Sequence, residues 1–172
     1  MRTPQTAQAP LDELRDVLRE APRLPVPSDA VAALLTLEDG RYVMQLRDDI
    51  PGIFYPACWG CFGGAIEPGE TPEAALRREL REELEFEVGS ARRFTRFDFD
   101  FAPQGHGVVT RIYFELQVPP AAFGRFVLHE GAEFRAIPGA ELLSALKVTP
   151  YDAFAVWMHM NRVPGLPAAA NR

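Results

Sequence analysis

Few features of this 172-residue chain point toward a membrane or a nucleic acid. No apolar run approaches the ~20 residues that a spanning helix needs, and the N-terminal MRTPQTAQAP has no apolar leader core. A cytoplasmic location is the expectation from these two absences. Basic patches are also missing. With a net charge of −6 and a pI near 5.1, nothing stands ready to displace counterions from a phosphate backbone, so no nucleic-acid partner is expected. Cysteine is scarce: Cys58 and Cys61 form one C-x-x-C with no second pair and no nearby His. A tetrahedral zinc site is left incomplete, and both residues read as small apolar side chains.

What is present suits one domain with a substantial core, 47% hydrophobic and 24% charged. Residues 1–28 read as an N-terminal helix and linker: Leu11 to Glu20 places apolar residues at 11, 14, 17 and 18, and Pro22, Pro25 and Pro27 then break the helix. That helix has two coverings open to it, the core of its own chain or a partner subunit in a homodimer. The main domain occupies 29–163, and 164–172 is a Pro- and Ala-rich tail expected to fray.

The chain is organised around Gly63 to Phe86, GGAIEPGETPEAALRRELREELEF. Thr71 can cap a helix with Pro72 in its first position and Glu73 in its first turn, where the helix dipole favours a carboxylate. Ala74 to Leu84 contains no Gly, Pro or β-branched residue, so the spacing predicts a helix. At about 100° per residue, Glu79, Glu82 and Glu83 project from one face, beside an apolar stripe of Leu76, Leu80 and Leu84. Glu83 falls at the edge of the buried side, where an unpaired charge is expensive and something positive is expected. Arg78 can pair with Glu82 at i, i+4. From Glu67 to Glu87 there are eight Glu against three Arg, a local balance of −5 beside −6 for the whole chain. A solubilising surface would mix signs more evenly. Hard oxygens converging on an open space describe a site for Mg²⁺ or Mn²⁺.

Gly64, Glu70, Arg78-Glu79-Leu80, Glu82-Glu83 and Phe86 at these intervals resemble the Nudix box, the signature of the Nudix hydrolases. One position departs: Glu85 stands where the family has Gly, which puts the left-handed end of the helix in question at a cost on the order of 1 kcal/mol. Phe62 also stands where the family often has Pro. The resemblance implies hydrolysis of a phosphoric anhydride in a nucleoside diphosphate linked to another group, whether nucleotide sugar, dinucleotide, nucleoside triphosphate or coenzyme. It further implies that Gly64, through its carbonyl, and Glu79, Glu82 and Glu83 hold Mg²⁺ or Mn²⁺. Arg78 would orient Glu79 or Glu82, and Glu70 would support the loop. A further carboxylate from outside the box, Glu133 in preference to Glu130, or Glu79 itself, would take the proton of the attacking water.

The remaining segments supply a frame and candidate substrate contacts. Ala30–Leu37 reads as a buried strand, and Arg41–Arg47 as a half-buried strand that completes a hairpin through Glu38-Asp39-Gly40. The loop from Asp48 to Cys58 carries Phe54 and Tyr55, which could stack a base, and Trp59–Phe62 reads as a short strand. Arg92–Phe101 and Val108–Val118 alternate as a second hairpin around APQGHG. Arg47 and Arg111 are candidates for a substrate phosphate. Helices follow at Glu141–Leu146 and Pro150–Arg162, where His159 reads as structural. Strands on both sides of the box helix, with helices after the last strand, fit an α/β/α sandwich around a mixed sheet, the architecture that the resemblance also implies. Two other classes stay open, a non-catalytic Nudix-fold nucleotide-binding or regulatory module and an isomerase of a prenyl diphosphate.

Overall fold

The computed structural model describes residues 27–162, without the side chain of Gln104. The helix expected over Leu11–Glu20 and the expected tail lie outside the described residues. Among those described, no helix is long and apolar enough to cross a membrane.

Six strands form one mixed sheet: β1 (Ala30–Thr36), β2 (Tyr42–Leu46), β3 (Trp59–Gly60), β4 (Arg92–Asp100), β5 (Val108–Gln117) and β6 (Glu133–Ile137). The order is β3-β2-β1-β5-β4, with β6 on β2. β1 and β5 run parallel and the other pairs antiparallel. Helix α1 (Pro72–Leu84) lies on one face. After the short α2 (Pro120–Phe123) come α3 (Gly139–Ala145) and α4 (Pro150–Met160), both contributing to the other face.

Strand β1 shows why both faces are covered. Val31, Ala33 and Leu35 enter a core with Leu76, Leu80 and Leu84 of α1, while Ala32 and Leu34 enter a second core with Leu142 of α3 and Ala155 and Val156 of α4. Alternation thus sends successive side chains into different half-cores. The same cover corrects one expectation: β2 is not half-buried, because Tyr42, Val43, Met44 and Gln45 are all buried. His159 is structural here, with its Nδ1 2.7 Å from the Tyr42 hydroxyl and its Nε2 3.0 Å from Glu115.

The segment that leads into α1 is wedged into the sheet. β1 pairs with β2 only through Leu35 and Thr36, and β3 takes over at Gln45 and Leu46. Residues 62–66 then follow β1, with Ala33 N–H donating to the Phe62 carbonyl, Val31 N–H to Gly64, and Ile66 N–H to Asp29. Gly63 takes φ +124°, and a Cβ there would collide with the Val31 carbonyl. Only glycine allows this approach.

Gly63→Ala is therefore expected to cost about 3 kcal/mol, from strain and collision together. Gly69→Ala, at φ +83° with nothing within 4 Å, should cost about 1 kcal/mol. Urea denaturation of the two variants measures the difference, and equal losses would show that the segment is not clamped.

Candidate active site

Helix α1 begins as its sequence directs. Thr71 is the N-cap, its side chain accepting the Ala74 N–H at 3.2 Å, and Pro72 opens the first turn with Glu73. Leu76, Leu80 and Leu84 are fully buried, which fixes the rotation of the helix and sets Glu79 against Gly64 and Glu83 against Gly63, while Glu82 reaches Arg78. Their environments differ. Glu82 is largely exposed, Glu79 is 14% exposed, and Glu83 is buried.

Arg78 ties these groups together. Its Nε and Nη2 donate to the two oxygens of Glu70 at 3.1 and 3.0 Å, and Nη2 also reaches the Ala65 carbonyl at 2.9 Å. Nη1 donates to Glu79 Oε1 at 2.8 Å and Glu82 Oε2 at 3.2 Å. It thus bonds one oxygen of each helix carboxylate while it braces the loop through Glu70. The bond to Glu70 is the first of the causes that raise the Arg78 pKa, and the same contact lowers that of Glu70.

Glu83 receives the Gly63 N–H on Oε2 at 2.8 Å. Burial pushes its carboxyl up to about 8; the Gly63 bond opposes this, and Glu130 and Glu79 add to it. Arg47 supplies a smaller opposing effect. The positive partner expected for Glu83 is accordingly a backbone N–H, with no side-chain cation dominating. Glu79 is also raised, first by burial, with Arg78 opposing and Glu82 and Glu130 adding. Its carboxylate lies against Gly64, where a Cβ would stand 2.5 Å from Oε1. The Gly64 carbonyl accepts Val31 N–H at 2.9 Å and keeps a second lone pair.

These are hard oxygen donors and like charges held close at partial burial, a combination that a divalent cation relieves. Glu79, Glu82, Glu83 and the Gly64 carbonyl could hold such an ion. The carboxylates are oriented toward Arg78 and Gly63, and among the described residues no three His, Cys, Asp or Glu side chains already form a cage.

The two candidate carboxylates from outside the box, Glu133 and Glu130, stand in different surroundings. Glu133 lies in β6 and pairs with Arg135 at 2.5 Å, whereas Glu130 acts electrostatically on both Glu79 and Glu83. The loop around Glu130 is fastened to the end of α1. His129 N–H donates to the Glu83 carbonyl at 3.0 Å and Val127 N–H to Leu84 at 3.2 Å. Gln45 Nε2 donates to the Glu130 carbonyl at 2.6 Å, and Gly131 packs on Gln45 at φ +87°. Glu130 and Glu133 lie three residues apart in a segment with no periodicity to choose between them.

Glu85 ends the helix in the left-handed region, at φ 54° and ψ 33°, so a non-glycine residue keeps the shape that glycine would give. Phe86 N–H turns back to the Leu80 carbonyl at 3.1 Å, and Phe86 packs on Phe126, with ring centroids 5.2 Å apart.

The substrate candidates form a second group. Arg47 donates Nε to the Phe54 carbonyl at 2.8 Å, so Phe54 contributes its backbone to this group. Tyr55 meets Tyr151 edge to face, with centroids 5.4 Å apart, and the Arg111 guanidinium lies 4.7 Å from the Tyr151 ring centre. The charges of Arg47 and Arg111 both act on Tyr151, and that of Arg47 also acts on Glu83, which connects this group to the carboxylates. Tyr151 and the buried Asp152 escaped the sequence reading because they sit in the first turn of an amphipathic helix, where a carboxylate needs no other explanation. A separate cavity of about 490 Å³, lined by Phe86, Ser90, Leu116, Pro119, Arg125 and Phe126 among others, contains none of Glu79, Glu82 or Glu83.

A family model described as the NUDIX domain matches residues 26–159. The nucleoside triphosphatase NudI of Escherichia coli (strain K12 / DH10B) is 50% identical over 50 residues, 29% of this chain and 35% of that protein. The chain thus matches about a third of the length of this curated relative. Among solved structures, a MutT protein from Methanosarcina mazei Go1 superposes with a TM-score of 0.64 at 17% identity, covering 80% of this chain and 98% of that one. The NUDIX domain of Shewanella oneidensis NrtR, complexed with ADP ribose, gives 0.60 at 15% identity over 91% and 97%. At these identities the likeness to solved structures is one of fold.

The elevated Glu83 carboxyl has a signed consequence for the metal-free protein. Its ordinary value is 4.5 and its folded value about 8, so folding favours the protonated form. That contribution is complete below the ordinary value and is lost as pH rises through the folded one. Metal-free protein should lose on the order of 3 kcal/mol of stability between about pH 5 and about pH 8.5. Thermal melts across that range should show the slope flattened in Glu83→Gln, and an unchanged slope would mean that Glu83 does not titrate there.

Proposed function

The chain belongs to the Nudix family, and on that premise we propose that it is a divalent-metal-dependent pyrophosphohydrolase that cleaves the anhydride of a nucleotide by attack of water on phosphorus. The observation that carries this reading is the placement of Glu79 and Glu83 against the Gly63-Gly64 segment, with Arg78 bracing Glu79 and Glu82 and the charge of Glu130 acting on Glu79 and Glu83. A diphosphate brings negative charge to negative side chains, and the two can meet only through cations. Glu79, Glu82, Glu83 and the Gly64 carbonyl would hold Mg²⁺ or Mn²⁺. Bound there, the ion would neutralise the anhydride oxygens and lower the pKa of the attacking water.

The chain's own residues supply the rest. Arg78 fixes the rotamers of Glu79 and Glu82 and couples them to the loop through Glu70. We assign Glu130, whose charge acts on both Glu79 and Glu83, to take the proton of the water in preference to Glu133, which is paired with Arg135. Arg47, Tyr55 and Arg111 line the path of the nucleotide, with Phe54 anchoring Arg47 through its carbonyl. A nucleoside triphosphate is the first substrate to test, in keeping with the name of the NudI relative; nucleotide sugars, dinucleotides and coenzymes share the anhydride.

Release of nucleoside monophosphate should require Mg²⁺, stop with chelator and return when metal is restored. Glu82→Gln and Glu83→Gln should each lower turnover by about 10²-fold or more across a panel of these substrates. Wild-type turnover in Glu82→Gln would overturn the site assignment. Nucleotide binding without turnover in the wild type would favour the alternative, a non-catalytic binding module.

A further inference from the structure

Asp152 is a buried carboxylate, 1% exposed, in a half-core where nothing obliges a charge to be. Such a group is retained only with full hydrogen bonding. Its Oδ2 accepts the Thr149 hydroxyl at 2.8 Å and the Cys61 N–H at 2.9 Å. Its Oδ1 accepts the Tyr113 hydroxyl at 2.8 Å and Arg111 Nη2 at 3.4 Å. These donors come from the start of α4, the wedged segment and β5. One carboxylate thereby joins all three elements beneath the second group of site residues.

Arg111 is what this arrangement fixes. Its Nε donates to the Tyr113 hydroxyl at 3.1 Å, and its guanidinium carbon lies 4.7 Å from the centre of the Tyr151 ring. These bonds use two of five N–H donors, and the side chain keeps 17% of its surface exposed. A guanidinium held in this way can add a ligand at little further entropic cost. Since Asp152 offsets the charge of Arg111, the surplus positive charge beside Tyr151 is that of Arg47, which the Phe54 carbonyl holds in place.

We propose that Asp152 is a positioning residue: it holds Arg111 against Tyr151 so that Arg111 and Arg47 together grip a phosphoryl group of the nucleotide. The identity of that ligand as a nucleotide rests on the hydrolase reading above. Two guanidinium groups, each restrained by a separate protein acceptor, suit several oxygens on one tetrahedral centre better than a neutral ring edge. Asp152 itself has both oxygens engaged by protein donors and works only through Arg111.

The test uses the full chain, with UMP as a binding probe that contains no anhydride and UTP as substrate. Asp152→Asn keeps shape and removes charge. It should weaken UMP binding in calorimetry by about tenfold and raise the KM for UTP to the same extent, with kcat within about twofold. Arg111→Lys should do likewise, and the double variant should be no worse than either single one, because both act through one guanidinium. Tyr113→Phe removes one restraint and should show a smaller loss in the same direction, which carries the test if Asp152→Asn does not fold. Unchanged UMP affinity, a loss confined to kcat, or additive losses in the double variant would overturn the proposal. If UMP affinity falls in Asp152→Asn while the wild type turns over no nucleotide, positioning stands and the hydrolase reading fails. Mg²⁺-dependent turnover with an unaffected KM in Asp152→Asn gives the reverse.

Discussion

Arg78 reaches four acceptors in three parts of the chain: Glu70 in the loop before α1, the Ala65 carbonyl in the glycine segment, and Glu79 and Glu82 on the helix. Without it, carboxylates on neighbouring turns would repel one another and the loop would lose its attachment to the helix. A lysine could not span this set, since a single ammonium has neither the width nor the number of donors. The buried leucine stripe of α1 sets the rotation of the helix, and Arg78 then sets the rotamers that stand above it. Glu83 is held differently, by burial and a backbone N–H, and so carries the most perturbed carboxyl of the group.

Much of this arrangement is local in sequence and was legible for that reason. Thr71, Pro72 and the absence of breakers up to Leu84 define α1, and helical spacing alone puts Glu79, Glu82 and Glu83 on one side with Arg78 in reach. The resemblance named the Gly64 carbonyl, which helical geometry could not have done. The left-handed exit also survives at Glu85, because the turn of Phe86 onto Phe126 fixes the backbone there whether or not the residue prefers it.

What was not legible depends on contacts between residues far apart in the chain. On paper Glu133 is only marginally preferred to Glu130. They separate once Gln45 and the carbonyls of Glu83 and Leu84 fasten the loop at residues 127–131, and Arg135 neutralises Glu133 within its own strand. Asp152 reads as an ordinary first-turn carboxylate until Tyr113, Cys61 and Arg111 are folded around it. The burial of β2 on both faces likewise needs two helical layers, and its short alternating pattern carries no trace of the second. Arg47 and Arg111 are candidates by residue type, and what relates them in the fold is Tyr151, 40 residues beyond Arg111, on which both charges act.

The wedge formed by residues 59–66 has one more implication. Because this stretch hydrogen-bonds to β1 on one side and touches β2 on the other, it gives its backbone to the α1 carboxylates at Gly63 and to Asp152 of α4 at Cys61. The two half-cores otherwise meet only across the sheet. Mutational drift around Tyr151 and Asp152 can therefore proceed while the layer that carries Glu79, Glu82 and Glu83 keeps its dimensions, whereas a change in this hairpin-thin strip would be felt on both sides at once.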